Sequence, residues 1–284
     1  MKKLIILFSL AIFTFFTAGA QQKQIVTLWP NGAPHANGMS DSLSWQGKNV
    51  ARFGEMCIFS PDKSNNTGKA LVICPGGGYA VVCVTYEGWD VAQWLAEQGI
   101  TAIVVNYRLP NNHREVPQED AEQAIRLARQ MSGKLGVDPN KIGISGFSAG
   151  GHLASTVLTH TTDPTAKPNF GILFYPVISA RLDCVHAGSY DNLLGKKRTT
   201  ADNAAYSNEL QVTTSTPPTM LMLSDDDGLV PPENSILFYE ALKRNGVKSE
   251  LHIFPMGGHG WGFHDSFPYK PIWTNLVLDW IKRM

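Results

Sequence analysis

The stretch from Lys141 to Thr159, KIGISGFSAGGHLASTVLT, constrains the fold of this chain more than any other. It runs from a short apolar segment through a G-x-S-x-G turn at residues 146–150 into an apolar pattern with helical spacing. A strained turn between strand and helix lifts a serine hydroxyl out of a sheet, provided that its neighbours carry no obstructing side chains. The following helix aims its free N-terminal amides at the point where negative charge develops in acyl transfer. Ser148 is therefore the candidate nucleophile.

Ser145 lies in a shifted near-match to the same motif. It does not fit, because Phe147 stands where the second glycine is needed, and we interpret Ser145 as a strand-end residue. G-x-S-x-G also arises by chance in ordinary turns, so the strand before Ser148 and the helix after it are the context that the interpretation requires.

Length and charge narrow the class of protein. With 284 residues and 43% apolar content, the chain is long enough for one large α/β domain with a substantial core. Lys and Arg total 24, Asp and Glu total 24, and no local basic run stands out. The net charge therefore does not favour binding to nucleic acid or to an anionic membrane, and the balance of charges favours uncharged partners.

Residues 1–20 have the three parts of an export signal. Lys2 and Lys3 precede an apolar run from Leu4 to about Thr17, and small residues end at Ala20. A membrane anchor is the alternative, but the run falls short of the roughly 18 apolar residues that a span requires. We predict cleavage after Ala20, a single catalytic domain over residues 21–284, periplasmic or secreted location, and no stable membrane insertion after cleavage.

Strand and helix patterns alternate from about Ala70 onwards. Apolar runs indicate strands at 55–60, 70–74, 100–105, 142–144, 170–175, 219–223 and 249–254, after a short one near 25–28. Helical spacing of apolar residues occurs at 90–98, 116–135 and 231–245, and in a closing helix through 273–281. This alternation predicts an α/β fold with a mostly parallel central sheet and helices on both faces. The weakly patterned segment 178–216 is predicted to be a small lid or substrate-facing insertion, with helical pieces near 190–194 and 202–208.

Three consecutive glycines follow the buried strand at 70–74, in the sequence Pro75-Gly76-Gly77-Gly78-Tyr79. Glycines at the carboxyl end of a strand let backbone amides approach a ligand closely. Neither G-x-G-x-x-G nor G-x-x-x-x-G-K-[ST] is present, which argues against a phosphate cradle. We predict an oxyanion hole formed by the N–H groups of Gly77, Gly78 and Ala149, with a plain tight turn as the alternative.

A serine nucleophile needs a histidine as base and a carboxylate to orient that histidine. His259 lies in the glycine-rich loop GGHGWG after the last predicted strand, and His264 is its only competitor. Three acids, residues 225–227, follow the strand at 219–223. Asp227 is preferred because it opens the pattern D-x-x-V-P, while Asp226 stays open as the alternative.

The motifs PGGGY, NYRL at 106–109, GFSAGGHLA, DxxVPPENS and GGHGWG together resemble the exported esterases of polysaccharide-degrading bacteria. That group covers acetylxylan and feruloyl esterases within the esterase/lipase and prolyl-oligopeptidase-like α/β-hydrolases, and the resemblance runs from about Glu55 to Ile281. The order serine, aspartate, histidine is that of the α/β-hydrolases. Pro75 departs from the hormone-sensitive-lipase branch, which has a histidine there.

The resemblance implies an α/β-hydrolase fold and a serine esterase that removes acetyl groups from xylan or xylo-oligosaccharides through an acyl-enzyme. No metal or organic cofactor is implied. Tyr79 and Trp261 are candidate stacking faces for sugar rings, although aromatic residues in such positions also serve the core. A feruloyl or general small-ester esterase or lipase, a serine peptidase and a non-catalytic glycan-binding protein remain as alternatives.

The four cysteines have neither C-x-x-C spacing nor a metal-type spacing with histidine. A disulfide between Cys74 and Cys83 is one interpretation for an exported protein, and free buried thiols are the other.

Overall fold

The computed structural model describes residues 22–39 and 54–284. The predicted signal peptide at residues 1–20 lies outside the described residues, as does the part of the N-terminal lead-in at residues 40–53. Within the described ranges, no helix combines the length and the apolar character needed to cross a lipid bilayer.

One mixed sheet forms the centre of the molecule. Its strands are β1 (Gln22–Thr27), β2 (Glu55–Ser60), β3 (Ala70–Cys74), β4 (Thr101–Asn106), β5 (Ile142–Phe147), β6 (Gly171–Phe174), β7 (Thr219–Ser224) and β8 (Ser249–Phe254). They lie in the order β1-β2-β4-β3-β5-β6-β7-β8. The β1–β2 and β2–β4 pairs are antiparallel. From β4 to β8 all neighbours are parallel, which confirms the predicted sheet.

Helices cover both faces of this sheet, as predicted. They are α1 (Asp90–Glu97), α2 (Glu115–Gln130), α3 (Ser132–Leu135), α4 (Ser148–His160), α5 (Ala187–Leu194), α6 (Thr200–Tyr206), α7 (Glu233–Arg244) and α8 (Lys270–Arg283). The apolar sides of α2, α4 and α7 share one buried core with one face of the sheet. The apolar sides of α1 and α8 share a second core with the opposite face. Strands such as β3 and β4 are therefore buried on both faces, which explains their uninterrupted apolar sequences.

The structure divides the segment that was predicted as one long helix over 116–135. The helix α2 ends at Gln130, and the single turn α3 follows after Met131. Ser132 and Gly133 are weak helix formers, which explains the interruption. A second difference is a π-helical turn, Thr85–Trp89, which leads into α1 and had no counterpart in the prediction.

The predicted insertion lies directly before β7 and is packed against the core. It contains α5, α6 and a 3-10 turn at Asn208–Leu210. The buried side chain of Asn234 accepts hydrogen bonds from the amides of Ile178 (2.9 Å) and Ser179 (3.0 Å) at its start. Near its end, the Asn208 amide group donates to the carbonyl of His152 in α4 (3.1 Å). Both ends of the insertion are thus held by buried polar contacts.

A buried ion pair joins the N-terminal lead-in to the rest of the fold. Arg108, after β4, contacts Asp120 in α2 with 2.7 Å between Nη2 and Oδ1. The indole N–H of Trp29 donates to the same carboxylate at 2.6 Å. Arg108 also donates to the carbonyl of His35 at 2.5 Å, so this pair organises the chain before the sheet.

Candidate active site

The turn between β5 and α4 is a strained nucleophile elbow. Ser148 begins α4 with a φ of +52°, in the left-handed region that residues with a Cβ rarely occupy. A Cβ on Gly146 would lie 2.0 Å from the carbonyl oxygen of Gly150, and a Cβ on Gly150 would lie 2.1 Å from that of Cys74. Only glycine fits at either position, which is the physical reason for the G-x-S-x-G spacing.

Three predicted residues, distant in sequence, form one chain of hydrogen bonds. The hydroxyl of Ser148 donates to Nε2 of His259 across 2.8 Å. Nδ1–H of the same ring donates to Oδ2 of Asp227 at 2.7 Å. Ser148 and Asp227 are 7% and 4% exposed, so these bonds are largely shielded from water. The arrangement lets the imidazole take a proton from the serine while a carboxylate stabilises the charge that results.

The structure distinguishes the two candidate acids. Oδ1 of Asp227 accepts the amides of Leu229 (3.0 Å) and Val230 (2.9 Å), while its other oxygen faces His259. Asp226 points elsewhere and accepts the amide of Gly258 at 2.7 Å, a bond that lowers the pKa of Asp226. Asp227 therefore contacts the imidazole, and Asp226 holds the loop that carries it.

The competing histidine does not join this chain. The ring of His264 stacks on Tyr86 with a centroid distance of 4.5 Å. Its backbone amide donates to the carbonyl of Trp261 at 3.0 Å, as part of the turn that follows His259. The structure thus brings His259 to Ser148 and gives His264 a packing role.

The glycine loop after β3 lies beside the elbow because β3 and β5 are parallel neighbours, with Cys74 opposite Gly146. A Cβ on Gly76 would lie 2.9 Å from the Cβ of Ser148. In the described part of the chain, no hydrogen bond uses the N–H of Gly77 or Gly78. Ala149 lies in the first turn of α4, where amides have no intrahelical partner. Three free donors are thus available at the edge of the sheet that carries the nucleophile.

The prediction that Tyr79 and Trp261 stack on sugar rings is wrong, because both side chains are buried in the core. Tyr79 is 3% exposed, and its hydroxyl donates to Nδ1 of His152 at 3.0 Å. Trp261 is 4% exposed and stacks on Phe267 with ring centroids 4.2 Å apart. Its indole N–H donates to Ser224 at 3.1 Å, which anchors the histidine loop to the end of β7.

Two residues beneath the elbow were not singled out from the sequence. Glu87 is 2% exposed, accepts the amide of Gly76 at 2.8 Å and accepts the hydroxyl of Tyr175 at 2.7 Å. The ring of Tyr175 lies edge-on to His259 with a centroid distance of 4.8 Å. Burial raises the pKa of Glu87. The one sequence signal was an acidic residue that interrupts a buried segment just before α1.

The insertion also supplies two residues to this region. The side-chain amide of Asn192 donates to the carbonyl of Gly78 at 2.8 Å, which fixes the glycine loop. His186 precedes α5, and its Nδ1 accepts the amide of Ser189 at 3.3 Å. Its Cε1 lies 3.9 Å from where a Cβ on Gly78 would stand, and burial lowers the pKa of His186. No sequence motif marks either residue, since both depend on how the insertion docks.

The described residues contain no group of three or more His, Cys, Asp or Glu side chains placed to hold a metal ion. All four cysteines, at positions 57, 74, 83 and 184, are free thiols, so Cys74 and Cys83 are not bonded to each other. Burial raises the pKa of Cys57 to about 11, which suits an unreactive core thiol.

Similar proteins in sequence include two enzymes with names that refer to xylan. The chain is 40% identical over 234 residues to an acetylxylan esterase from Xylanibacter ruminicola, which covers 81% of this chain and 48% of that protein. It is 33% identical over 205 residues to endo-1,4-beta-xylanase B from Butyrivibrio fibrisolvens, covering 67% and 32% respectively. The chain thus spans about half the length, or less, of these relatives.

Similar solved structures cover most of the chain. The acetyl ester-xyloside bifunctional hydrolase from Caldicellulosiruptor lactoaceticus has a TM-score of 0.79 and 38% identity, covering 92% of this chain and 96% of that one. A thermophilic esterase from Thermogutta terrifontis has a TM-score of 0.66 and 26% identity, covering 82% and 91%. These neighbours confirm the α/β-hydrolase fold. Residues 88–284 match the prolyl oligopeptidase family, and the chain is a member of that family.

Proposed function

We propose that this protein is a serine esterase that removes acetyl groups from xylan or xylo-oligosaccharides. The observation that carries the proposal is the hydrogen-bonded chain Ser148–His259–Asp227 beside three free backbone amides. The names of the similar proteins, an acetylxylan esterase and an acetyl ester-xyloside hydrolase, support the choice of acetyl group and sugar.

The mechanism has two steps. His259 takes the proton of Ser148 as Oγ attacks the ester carbonyl, and Asp227 stabilises the imidazolium. The amides of Gly77, Gly78 and Ala149 hold the oxyanion. His259 then gives its proton to the sugar oxygen as the bond between that oxygen and the carbonyl carbon breaks, so the sugar leaves as an alcohol and an acetyl-enzyme remains. In the second step His259 takes a proton from the water that attacks the acetyl carbon, and returns it to Oγ of Ser148 as the bond between Oγ and that carbon breaks and acetate is released.

Replacement of the nucleophile tests the enzyme class. Ser148→Ala should lower kcat for p-nitrophenyl acetate by about a thousandfold or more. Ser145→Ala is the matched control, because Ser145 is buried in β5, three residues before the nucleophile, and its hydroxyl has no partner within the described chain. A fluorophosphonate should label wild type and Ser145→Ala but not Ser148→Ala. Unchanged hydrolysis in Ser148→Ala would contradict the proposal.

The substrate is tested on one sample of acetylated, feruloylated arabinoxylan. We expect acetate release to exceed ferulate release, with losses of acetyl mass from xylo-oligosaccharides in mass spectra. Predominant ferulate release would indicate a feruloyl esterase. Cleavage of peptide nitroanilides faster than acetyl esters would indicate a peptidase instead.

We also propose that the chain is exported and cleaved after Ala20, since Lys2 and Lys3 precede an apolar run that ends in small residues. Expression in a Gram-negative host with N-terminal sequencing of the exported protein tests this. The expected first residue is Gln21, and full-length protein retained in the cytoplasm would contradict export.

A further inference from the structure

Glu87 is a buried carboxylate that the two-step mechanism does not use. It lies in the π-helical turn between the glycine loop and α1, and only 2% of its surface is exposed. Both of its oxygens have fixed partners: Oε2 accepts the amide of Gly76, and Oε1 accepts the hydroxyl of Tyr175. The side chain therefore touches two of the loops that build the site.

The directions of these hydrogen bonds indicate the charge of Glu87. The amide of Gly262, in the histidine loop, donates to the Tyr175 hydroxyl oxygen at 2.9 Å. The phenol proton is thus left to be donated to Glu87, and the amide of Gly76 is likewise a donor. A protonated carboxyl would bring a third proton without an acceptor among the described neighbours. The network accommodates the carboxylate.

This anion has no cationic partner in the described part of the chain. The titratable groups that face it are Cys83, Tyr86, Tyr107, Tyr175 and His259. The thiol and the phenols are uncharged at neutral pH, and burial keeps the pKa values of all four above their usual values. Among them only His259, which also faces Asp227 and His186, becomes positive, when it takes the Ser148 proton. Buried Asp120, by contrast, has Arg108 as a permanent partner.

A buried, unpaired carboxylate is energetically costly, and such groups concentrate at functional sites. We propose that Glu87 is a positioning residue for the catalytic step, a second anion that stabilises the imidazolium form of His259 and fixes its surroundings through Tyr175 and Gly76. The inference rests on the proposed esterase function, because the imidazolium forms only if His259 takes a proton from Ser148.

Two physical effects support this role. The first is electrostatic, since a negative charge in a dry site stabilises a nearby developing positive charge. The second is geometric, because the Tyr175 ring that Glu87 holds by its hydroxyl packs against His259. The same hydroxyl receives Gly262, three residues after His259, so one hydrogen-bonded chain joins the glycine loop to the histidine loop.

Three variants separate charge from packing. Glu87→Gln removes the charge at nearly constant size, Glu87→Asp keeps the charge, and Tyr175→Phe removes one donor to the carboxylate. Thermal unfolding verifies that each variant folds. The readouts are kcat, and kcat/KM as a function of pH, for p-nitrophenyl acetate. The acid limb of kcat/KM reports protonation of the essential base in the free enzyme.

For Glu87→Gln we expect the acid limb to move to lower pH by about one unit, because the imidazolium loses an anionic neighbour and gives up its proton more readily. The accompanying fall in kcat should be about tenfold. Glu87→Asp should keep the acid limb near that of wild type. Tyr175→Phe should shift it in the same direction by less, since a carboxylate with one donor fewer is more easily protonated.

A folded Glu87→Gln with the wild-type acid limb would overturn the proposal, even if kcat fell. If Glu87→Gln does not fold, Tyr175→Phe decides, and an unmoved acid limb there overturns it as well. Wild-type protein that is inert toward the ester would refute the proposed function and this inference with it. If the wild type is active and the variants keep the wild-type acid limb of kcat/KM, this inference alone is refuted.

Discussion

Asp227 is immobilised from both sides. Its Oδ2 faces the imidazole, while its Oδ1 accepts the amides of Leu229 and Val230, so rotation of the carboxylate would break at least two bonds. The ring of His259 is thereby held in the tautomer with the proton on Nδ1. That tautomer leaves Nε2 free to accept the serine proton, which is the requirement of general-base catalysis.

Asp227→Asn is therefore expected to lower kcat by roughly 10⁴-fold with little change in fold, because an amide favours the wrong tautomer of the ring, as in the well-known serine protease example. The measurement is steady-state hydrolysis of p-nitrophenyl acetate at pH about 7. Asp225→Asn is the control, since Asp225 is exposed and lies in the same acidic run. Equal losses in the two variants would show that the run acts only through its total charge.

His152 is expected to make the free energy of unfolding depend on pH. Its Nε2–H donates to the carbonyl of Tyr206 at 2.8 Å, and burial lowers the pKa of His152 from 6.5 to about 4. As the pH falls, His152 binds a proton in the unfolded chain before it does so in the folded one. Its contribution to stability is therefore complete above the pKa of the unfolded state and is lost as the pH falls to the pKa of the folded state. The loss amounts to about 3 kcal/mol between about pH 7 and pH 4.

Urea unfolding of wild type and His152→Gln at both pH values isolates this contribution from that of the carboxylates. The decline in the free energy of unfolding should be smaller in the variant by about 3 kcal/mol. Parallel declines in the two proteins would mean that His152 titrates normally in the folded state.

At the scale of elements, the insertion acts as a wall of the site. Its helix α5 begins beside His186 and reaches the glycine loop through Asn192, while Asn234 and Asn208 hold its two ends. Such contacts leave α5 little freedom relative to the glycine loop. The insertion is thus expected to set the geometry of the oxyanion hole as well as the shape of the entrance.

Asn192→Ala tests that connection. Loss of the bond to the Gly78 carbonyl should loosen the loop and lower kcat on the order of tenfold, less than the loss from removing an oxyanion donor outright. Asn203→Ala is the matched control, because Asn203 lies in the same insertion and its side-chain carbonyl has no partner among the described residues. Similar kinetics in both variants would mean that the loop keeps its shape without α5.

Sequence patterns predicted those elements whose conformation is determined by residues close together in the sequence. The apolar run of β3, the elbow glycines and the turn that begins at Asp227 each carry their own constraint, and the structure places them as expected. The roles of Tyr79 and Trp261 were missed, because the sequence does not distinguish an aromatic residue that stacks on a sugar from one that packs against a neighbouring ring. Glu87 was missed because its two partners, Gly76 and Tyr175, lie in separate loops that only the folded chain brings together.

For the molecule as a whole, parallel strands determine where chemistry can occur. The elbow after β5, the glycine loop after β3, the acid after β7 and the histidine after β8 all follow the carboxyl ends of parallel strands, which meet at one edge. Residues elsewhere in the fold contribute to stability and not to the site. The buried pair Arg108–Asp120, which anchors the N-terminal lead-in, belongs to that part.

Asp120→Asn should lower the free energy of unfolding by about 3 kcal/mol, because it leaves the buried Arg108 charge only the longer, 3.7 Å contact with Glu119. Asp183→Asn, which breaks the exposed pair with Arg181, should cost less than about 1 kcal/mol. Urea denaturation at pH about 7 measures both. A loss for Asp120→Asn as small as that for Asp183→Asn would show that Glu119 or water stabilises the Arg108 charge in the absence of Asp120.

Backbone carbonyl oxygens leave no room for a Cβ atom at position 146 or at position 150, and this also limits how the scaffold can be re-engineered. A combinatorial library randomised at both codons and selected for soluble expression should return glycine at each, even with no demand for turnover. New reactivity would then have to be introduced by exchanging residue 148 or by redesigning the surrounding loops.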